Sequence, residues 1–150
     1  MKTNSIFIPK KIIGHIISYS LENDPDESCG MLQGTNSMVS KFFPMSNIHE
    51  TPKNRYTMNP VEIIKVEDQC DKAGESVIGI MHSHTHTQAY LSDTDVKNAL
   101  TSGYLDQVYL VVSLVEKTRP VIRAFKLNED GKISEIFIDF EGPKYISRWY

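Results

Sequence analysis

From Ser76 to His82 the chain is almost unbroken apolar, with Val77, Ile78, Ile80 and Met81 around a single glycine. Such a run reads as a strand buried on both faces, which belongs inside a sheet that other elements cover on each side. The rest of the sequence supplies those elements. Helices are expected over about Ile8–Glu22, with Ile12, Ile13, Ile16, Ile17 and Tyr19 mostly on one face, and over Pro60–Ala73, where Pro60 suits the first turn. A third runs from about Ser92 to Ser102 and is closed by Gly103. Strands are expected at Ser28–Gly34 and Met38–Met45, joined by Thr35-Asn36-Ser37. Three more, Gln107–Val115, Pro120–Leu127 and Lys132–Phe140, have links short enough for antiparallel hairpins. Mixed helix and strand around one central sheet is the economical architecture.

Composition bounds the function without naming it. At 150 residues, 23% charged and 40% hydrophobic, the chain is too apolar to be disordered. A net charge of −3 is too acidic for binding nucleic acid by charge alone. The run Ile12-Ile13-Gly14-His15-Ile16-Ile17 is far short of a spanning helix and lacks a signal-peptide cleavage site. The expectation is a cytoplasmic protein with no membrane partner. Cys29 and Cys70 are expected as reduced thiols, and two cysteines exclude a four-cysteine zinc site. Any metal must be held by histidines and carboxylates.

Such residues gather in one stretch, His82-Ser83-His84-Thr85-His86-Thr87-Gln88-Ala89-Tyr90-Leu91-Ser92-Asp93-Thr94-Asp95. Alternate strand residues point the same way, so His82 and His84 present two imidazoles to one side. Asp95 falls in the first turn of the next helix, and the loop is long enough to fold that turn over the histidines. Two nitrogens and one carboxylate oxygen, with a fourth position open, make up a catalytic zinc site. Blander readings stand beside this one. An isolated HxH is common, and Ser92-x-x-Asp95 is also a capping-box pattern. His84 and His86 share strand parity too.

The spacing His82-x-His84, seven residues, Ser92, two residues, Asp95 resembles the metal motif of the JAMM (MPN+, Mov34) metallopeptidases. Upstream, Glu27-Ser28-Cys29-Gly30-Met31-Leu32-Gln33-Gly34 is similar to a strand of the small bacterial members, and Asn47 and Tyr56-Thr57-Met58-Asn59-Pro60 echo the segment that follows. Val111-Val112-Ser113-Leu114 and Arg123-Ala124-Phe125 are similar to the closing strands. The likeness is greatest to the compact Mec-type members. It implies a single MPN/JAB domain over residues 1–140, with a mostly antiparallel curved sheet flanked by helices and a cytidine-deaminase-like fold. Residues 141–150 would be a tail, whose Trp149 and Tyr150 would cover an apolar patch on the domain or dock a partner.

The resemblance also implies roles. His82, His84 and Asp95 would bind Zn2+, Ser92 would assist the oxyanion, and Glu27 would be the general base. Nothing in local spacing brings Glu27 to the histidines. The implied activity is hydrolysis of an amide or isopeptide bond at the Gly-Gly tail of a ubiquitin-like or sulfur-carrier protein, with release of cysteine as one form. The chain departs from the family pattern at Thr85 and Leu91, where proline is usual, which relaxes the loop backbone. It departs again at His86, but a His84/His86 pair would leave five residues before Ser92 and break the motif. Two other classes have their own sequence requirements. A non-catalytic scaffold would not need the complete set of ligands, and a zinc deaminase needs H-x-E and P-C-x-x-C, which are absent.

Overall fold

The computed structural model describes residues 4–140, so the tail with Trp149 and Tyr150 lies outside the described residues. Ten elements follow in order: β1 (Ser5–Phe7), α1 (Lys10–Asn23), β2 (Cys29–Thr35), β3 (Met38–Met45), α2 (Pro60–Lys72), β4 (Ser76–His84), α3 (Asp93–Ser102), β5 (Val108–Ser113), β6 (Val121–Leu127) and β7 (Ile133–Asp139). The strands close into one curved sheet in the order β1-β3-β2-β4-β5-β6-β7. Four of its seven pairings are antiparallel, and β1–β3, β1–β7 and β4–β5 are parallel. The mixed α+β architecture, mostly antiparallel and flanked by helices, is the one expected.

The apolar run of β4 is interior, as its composition requires. Ile80 joins a cluster with Val66 and Cys70 of α2 and Ala99 of α3. Met81 joins a second cluster, on which Ile12, Ile13, Ile16 and Tyr19 of α1 pack. The sheet therefore separates α1 from α2 and α3. Because side chains alternate along a strand, the parity of Ile80 carries His82 and His84 to the face of α2 and α3.

Two expectations are corrected at the chain's start and at the motif. Helix α1 does not begin at Ile8. The residue before a proline is pushed out of the helical region, and Pro9 follows. Ile8 is fully buried and donates its N–H to Asp139 O at 2.8 Å, while Ile6 belongs to the short strand β1, which the sequence reading did not expect. At the other site β4 continues past His82, since Ser83 and His84 pair with Val112 and Ser113 of β5. Both histidines therefore sit on regular strand. Helix α3 ends as expected, with Gly103 in the left-handed region at φ 85°. Among the described residues no helix is long and apolar enough to cross a membrane.

Candidate metal centre

The histidine pair is held from both sides of its strand. His82 lies opposite Cys29 of β2 and beside Val111 of β5, and Ser83 between the histidines accepts the Ser28 N–H on its hydroxyl at 2.8 Å. His82 is fully buried, and the Tyr56 ring lies stacked on it at 4.7 Å with 21° between the planes. Among the described residues His82 Nδ1 has no hydrogen-bond partner, so that stack orients the ring. His84 is fixed differently. Its Nδ1 donates to Gln88 O at 2.9 Å, since a carbonyl only accepts, and this leaves the Nε2 lone pair facing Asp95.

Asp95 arrives on α3 through its cap. Ser92 Oγ accepts the Asp95 N–H at 3.1 Å, and Asp95 Oδ2 accepts the Ser92 N–H at 2.9 Å, a complete capping box. The same Oδ2 lies 3.2 Å from His82 Nε2 and 3.0 Å from His84 Nε2. Capping box and ligand set are thus one arrangement, in which the cap aims the carboxylate.

Three donor atoms meet here, with the two Nε2 atoms 3.0 Å apart. Tetrahedral zinc with bonds of about 2.0–2.1 Å places its ligand atoms roughly 3.3–3.4 Å apart. The triangle is within a few tenths of an ångström of that, and the donor set fits the metal. His82, His84 and Asp95 could hold such an ion. Burial lowers the His82 pKa, which keeps the ring neutral as a ligand must be. Burial works to raise the Asp95 pKa, but the His82 and His84 rings and the Ser92 N–H beside it outweigh that and hold the carboxyl well below the usual range.

Glu27 reaches the same place from a distant stretch of chain. Its N–H donates to Pro52 O at 2.7 Å, and its carbonyl accepts Asn47 Nδ2 at 2.9 Å. It lines a cavity of about 490 Å³ together with His84, Ser92 and Asp95. Burial pushes its carboxyl up to about 7, against the opposing pull of His84 and Arg55. The structure therefore brings together all five residues singled out in the sequence. His86 lines the same cavity but stands outside the group of His82, His84 and Asp95, with an exposed side chain. Sequence reasoning gave no role to Tyr56, Lys53 or Arg55. The segment Ser46–Asn59 has no period, so the signal that marks them is spatial.

Residues 9–128 match the family model described as prokaryotic homologs of the JAB domain. The chain belongs to this family. Its similarity to a CysO-cysteine peptidase of Mycobacterium tuberculosis is 31% identity over 132 residues, 87% of each chain. A desampylase of Haloferax volcanii is 31% identical over 104 residues, covering 68% of this chain and 73% of the relative. The solution structure of a Desulfitobacterium hafniense protein superposes with a TM-score of 0.80 at 28% identity, over 91% of this chain and 92% of that one. This JAB domain is thus similar in sequence to named peptidases over most of its length.

Proposed function

We propose that this JAB-family chain is a zinc-dependent hydrolase that cuts an amide bond at the Gly-Gly C-terminal tail of a ubiquitin-like or sulfur-carrier protein. The observation that carries the reading is the convergence of His82, His84 and Asp95 beside a cavity that Glu27, His84, Ser92 and Asp95 line. The relatives named CysO-cysteine peptidase and desampylase support a hydrolytic activity, and the first name points to an amino acid as leaving group.

Held by the three donors, zinc supplies Lewis-acid polarisation of the scissile carbonyl and an acidified water. Glu27 takes the proton from the attacking water and passes it to the nitrogen as the carbon–nitrogen bond breaks. A carboxyl raised to about 7 can do both, because it accepts and releases a proton near neutrality. Ser92 Oγ already accepts the Asp95 N–H, and its hydroxyl hydrogen is the donor for the carbonyl oxygen as negative charge develops there. His84, locked by Gln88, keeps one nitrogen on the metal side.

The test separates metal binding from proton transfer. Glu27→Gln should retain about one zinc per chain and lose at least 100-fold in hydrolysis of a Gly-Gly-tailed carrier adduct. His82→Ala and Asp95→Asn should lose the metal itself, read by metal analysis of the purified protein. Full activity in Glu27→Gln would overturn the mechanism.

A further inference from the structure

The closed sheet has a slot in it. Strands β6 and β7 pair from Leu127↔Ile133 to Ala124↔Ile136 and no further, although β6 begins at Val121 and β7 runs to Asp139. Beyond that point β6 keeps β5 on one side, through Val112↔Ile122 and Ser113↔Val121. Strand β7 keeps β1 on the other, from Ser5↔Phe137 to Phe7↔Asp139. Between the parted strands lies a cavity of about 480 Å³, lined by Ile122, Arg123, Glu135, Phe137, Ile138 and Phe140 among others.

Alternation along the hairpin decides which backbone groups face this cavity. Asn128 donates its N–H to Lys132 O at 3.1 Å, so in the same register Lys126 with Ser134 and Ala124 with Ile136 turn towards each other. Phe137 and Asp139 turn the opposite way, to β1: the Phe137 N–H donates to Asn4 O and Asp139 O accepts the Ile8 N–H, each at 2.8 Å. The next pair in the series is Ile122 with Ile138. No ladder joins them, and their backbone N–H and C=O groups face the slot. Two such edges suit an extended segment, which takes hydrogen bonds from both. Arg123 and Glu135 in the wall are bound to each other, so recognition falls to backbone and apolar side chains. Both faces of the slot are apolar. Ile122 and Ile138 belong to the cluster on the α1 side, while Val121 and Phe137 are exposed on the other face.

We infer that residues 141–150 of this chain fill the slot as an added strand between β6 and β7. The segment starts from Phe140, itself part of the slot wall, so the chain needs only a short closure to reach it. Gly142-Pro143 is a turn signal, and a four-residue link over 141–144 returns the chain antiparallel to β7 with residues 145–149 alongside. In that strand Tyr145 and Trp149 fall on one face and Ile146 on the other, which matches a slot apolar on both.

The test compares the full chain with a full-length variant carrying Ile146→Pro and Ser147→Pro together. Adjacent prolines remove one tail N–H on each side of the strand, whichever residue faces β6. Amide hydrogen exchange reads the slot, and acrylamide quenching of Trp149, the only tryptophan in the sequence, reads the tail. The Ile122 and Ile138 amides should exchange at least about 10-fold faster in the variant, with the Met81 amide of β4 unchanged. Trp149 should be better shielded from acrylamide in the full chain than in the variant. Equal exchange at Ile122 and Ile138 in the two chains overturns the inference, and so does equal quenching of Trp149. Protection that rises with protein concentration overturns it as well, since a second copy then fills the slot. If the Met81 amide also loses protection, the variant has lost its fold, and Phe137→Ser replaces it. That change lies at an exposed position of the slot wall and should raise Trp149 quenching; unchanged quenching overturns the inference.

Discussion

Glu27 should cost the metal-free protein stability, with a pH dependence whose sign follows from its burial. Its carboxyl is raised from an ordinary 4.5 to about 7 in the folded chain. A group with a raised folded pKa holds its proton more tightly folded than unfolded. Its contribution to stability is therefore full below 4.5 and is lost as pH rises through 7. The difference, 7 − 4.5 = 2.5, corresponds to about 3 kcal/mol at full titration. Linkage places about 1 kcal/mol of this near pH 5 and about 3 kcal/mol near pH 8. Glu27→Gln keeps the size and removes the titration, so the variant should gain stability over the parent by those amounts. Urea unfolding of chelator-treated parent and variant near pH 5 and near pH 8 reads the difference directly. A gain near pH 8 no larger than that near pH 5 would refute the reasoning. Zinc favours the ionised carboxylate, so loading the metal should shrink the gain.

Two further outcomes follow from packing around the histidines. Tyr56→Leu should weaken zinc binding about 2- to 12-fold, the equivalent of roughly 0.5–1.5 kcal/mol for an aromatic pair. Tyr56→Phe should not, because it keeps the ring stacked on His82; a chelator competition titration that found both variants alike would remove the stack from the argument. Gly30→Ala should destabilise the fold by about 1–3 kcal/mol, because its Cβ would fall onto the Phe42 ring and 2.8 Å from Phe43 O. A urea midpoint unchanged in Gly30→Ala would show that β3 yields to it.

Local regularity decides how much of this could be read in advance. Strand β4 and helix α3 were legible because a buried strand and a capped helix each carry a residue-level signature, and both hold metal-site residues. The ligand spacing was therefore visible within 14 residues of chain, from His82 to Asp95. Strand β1 was not legible: three residues have no period, and its pairing with β7 spans almost the whole described chain. Glu27 was placed by resemblance alone, and the physical reason it arrives is Asn47, whose amide spans Glu27 and Arg55. A side chain that links three backbone segments leaves no pattern in any of them. Ser92 and Asp95 show the opposite case, where capping and metal binding looked like rival readings, yet the carboxylate oxygen that caps the helix also lies 3.2 Å from His82 Nε2.

The loop between the histidines and α3 carries the last step. Proline stiffens a loop by restricting the unfolded chain, worth about 0.4–1 kcal/mol per position, and Thr85 and Leu91 forgo that. Folded-state contacts hold this loop instead. Ser113 Oγ donates to Thr87 O at 2.6 Å, His84 Nδ1 donates to Gln88 O at 2.9 Å, and Leu91 is 3% exposed. Tyr90 meets Phe125 edge-on at 5.4 Å, with Arg123 over both rings and itself bound to Glu135. The Gln88 contact is made by His84, so the loop that shapes the site also sets the tautomer of that ring. Stiffness from proline would be independent of the metal. Stiffness from these contacts would be coupled to it: with His84 Nε2 as a zinc ligand the hydrogen would stay on Nδ1, and the bond to Gln88 that keeps the loop in place would strengthen.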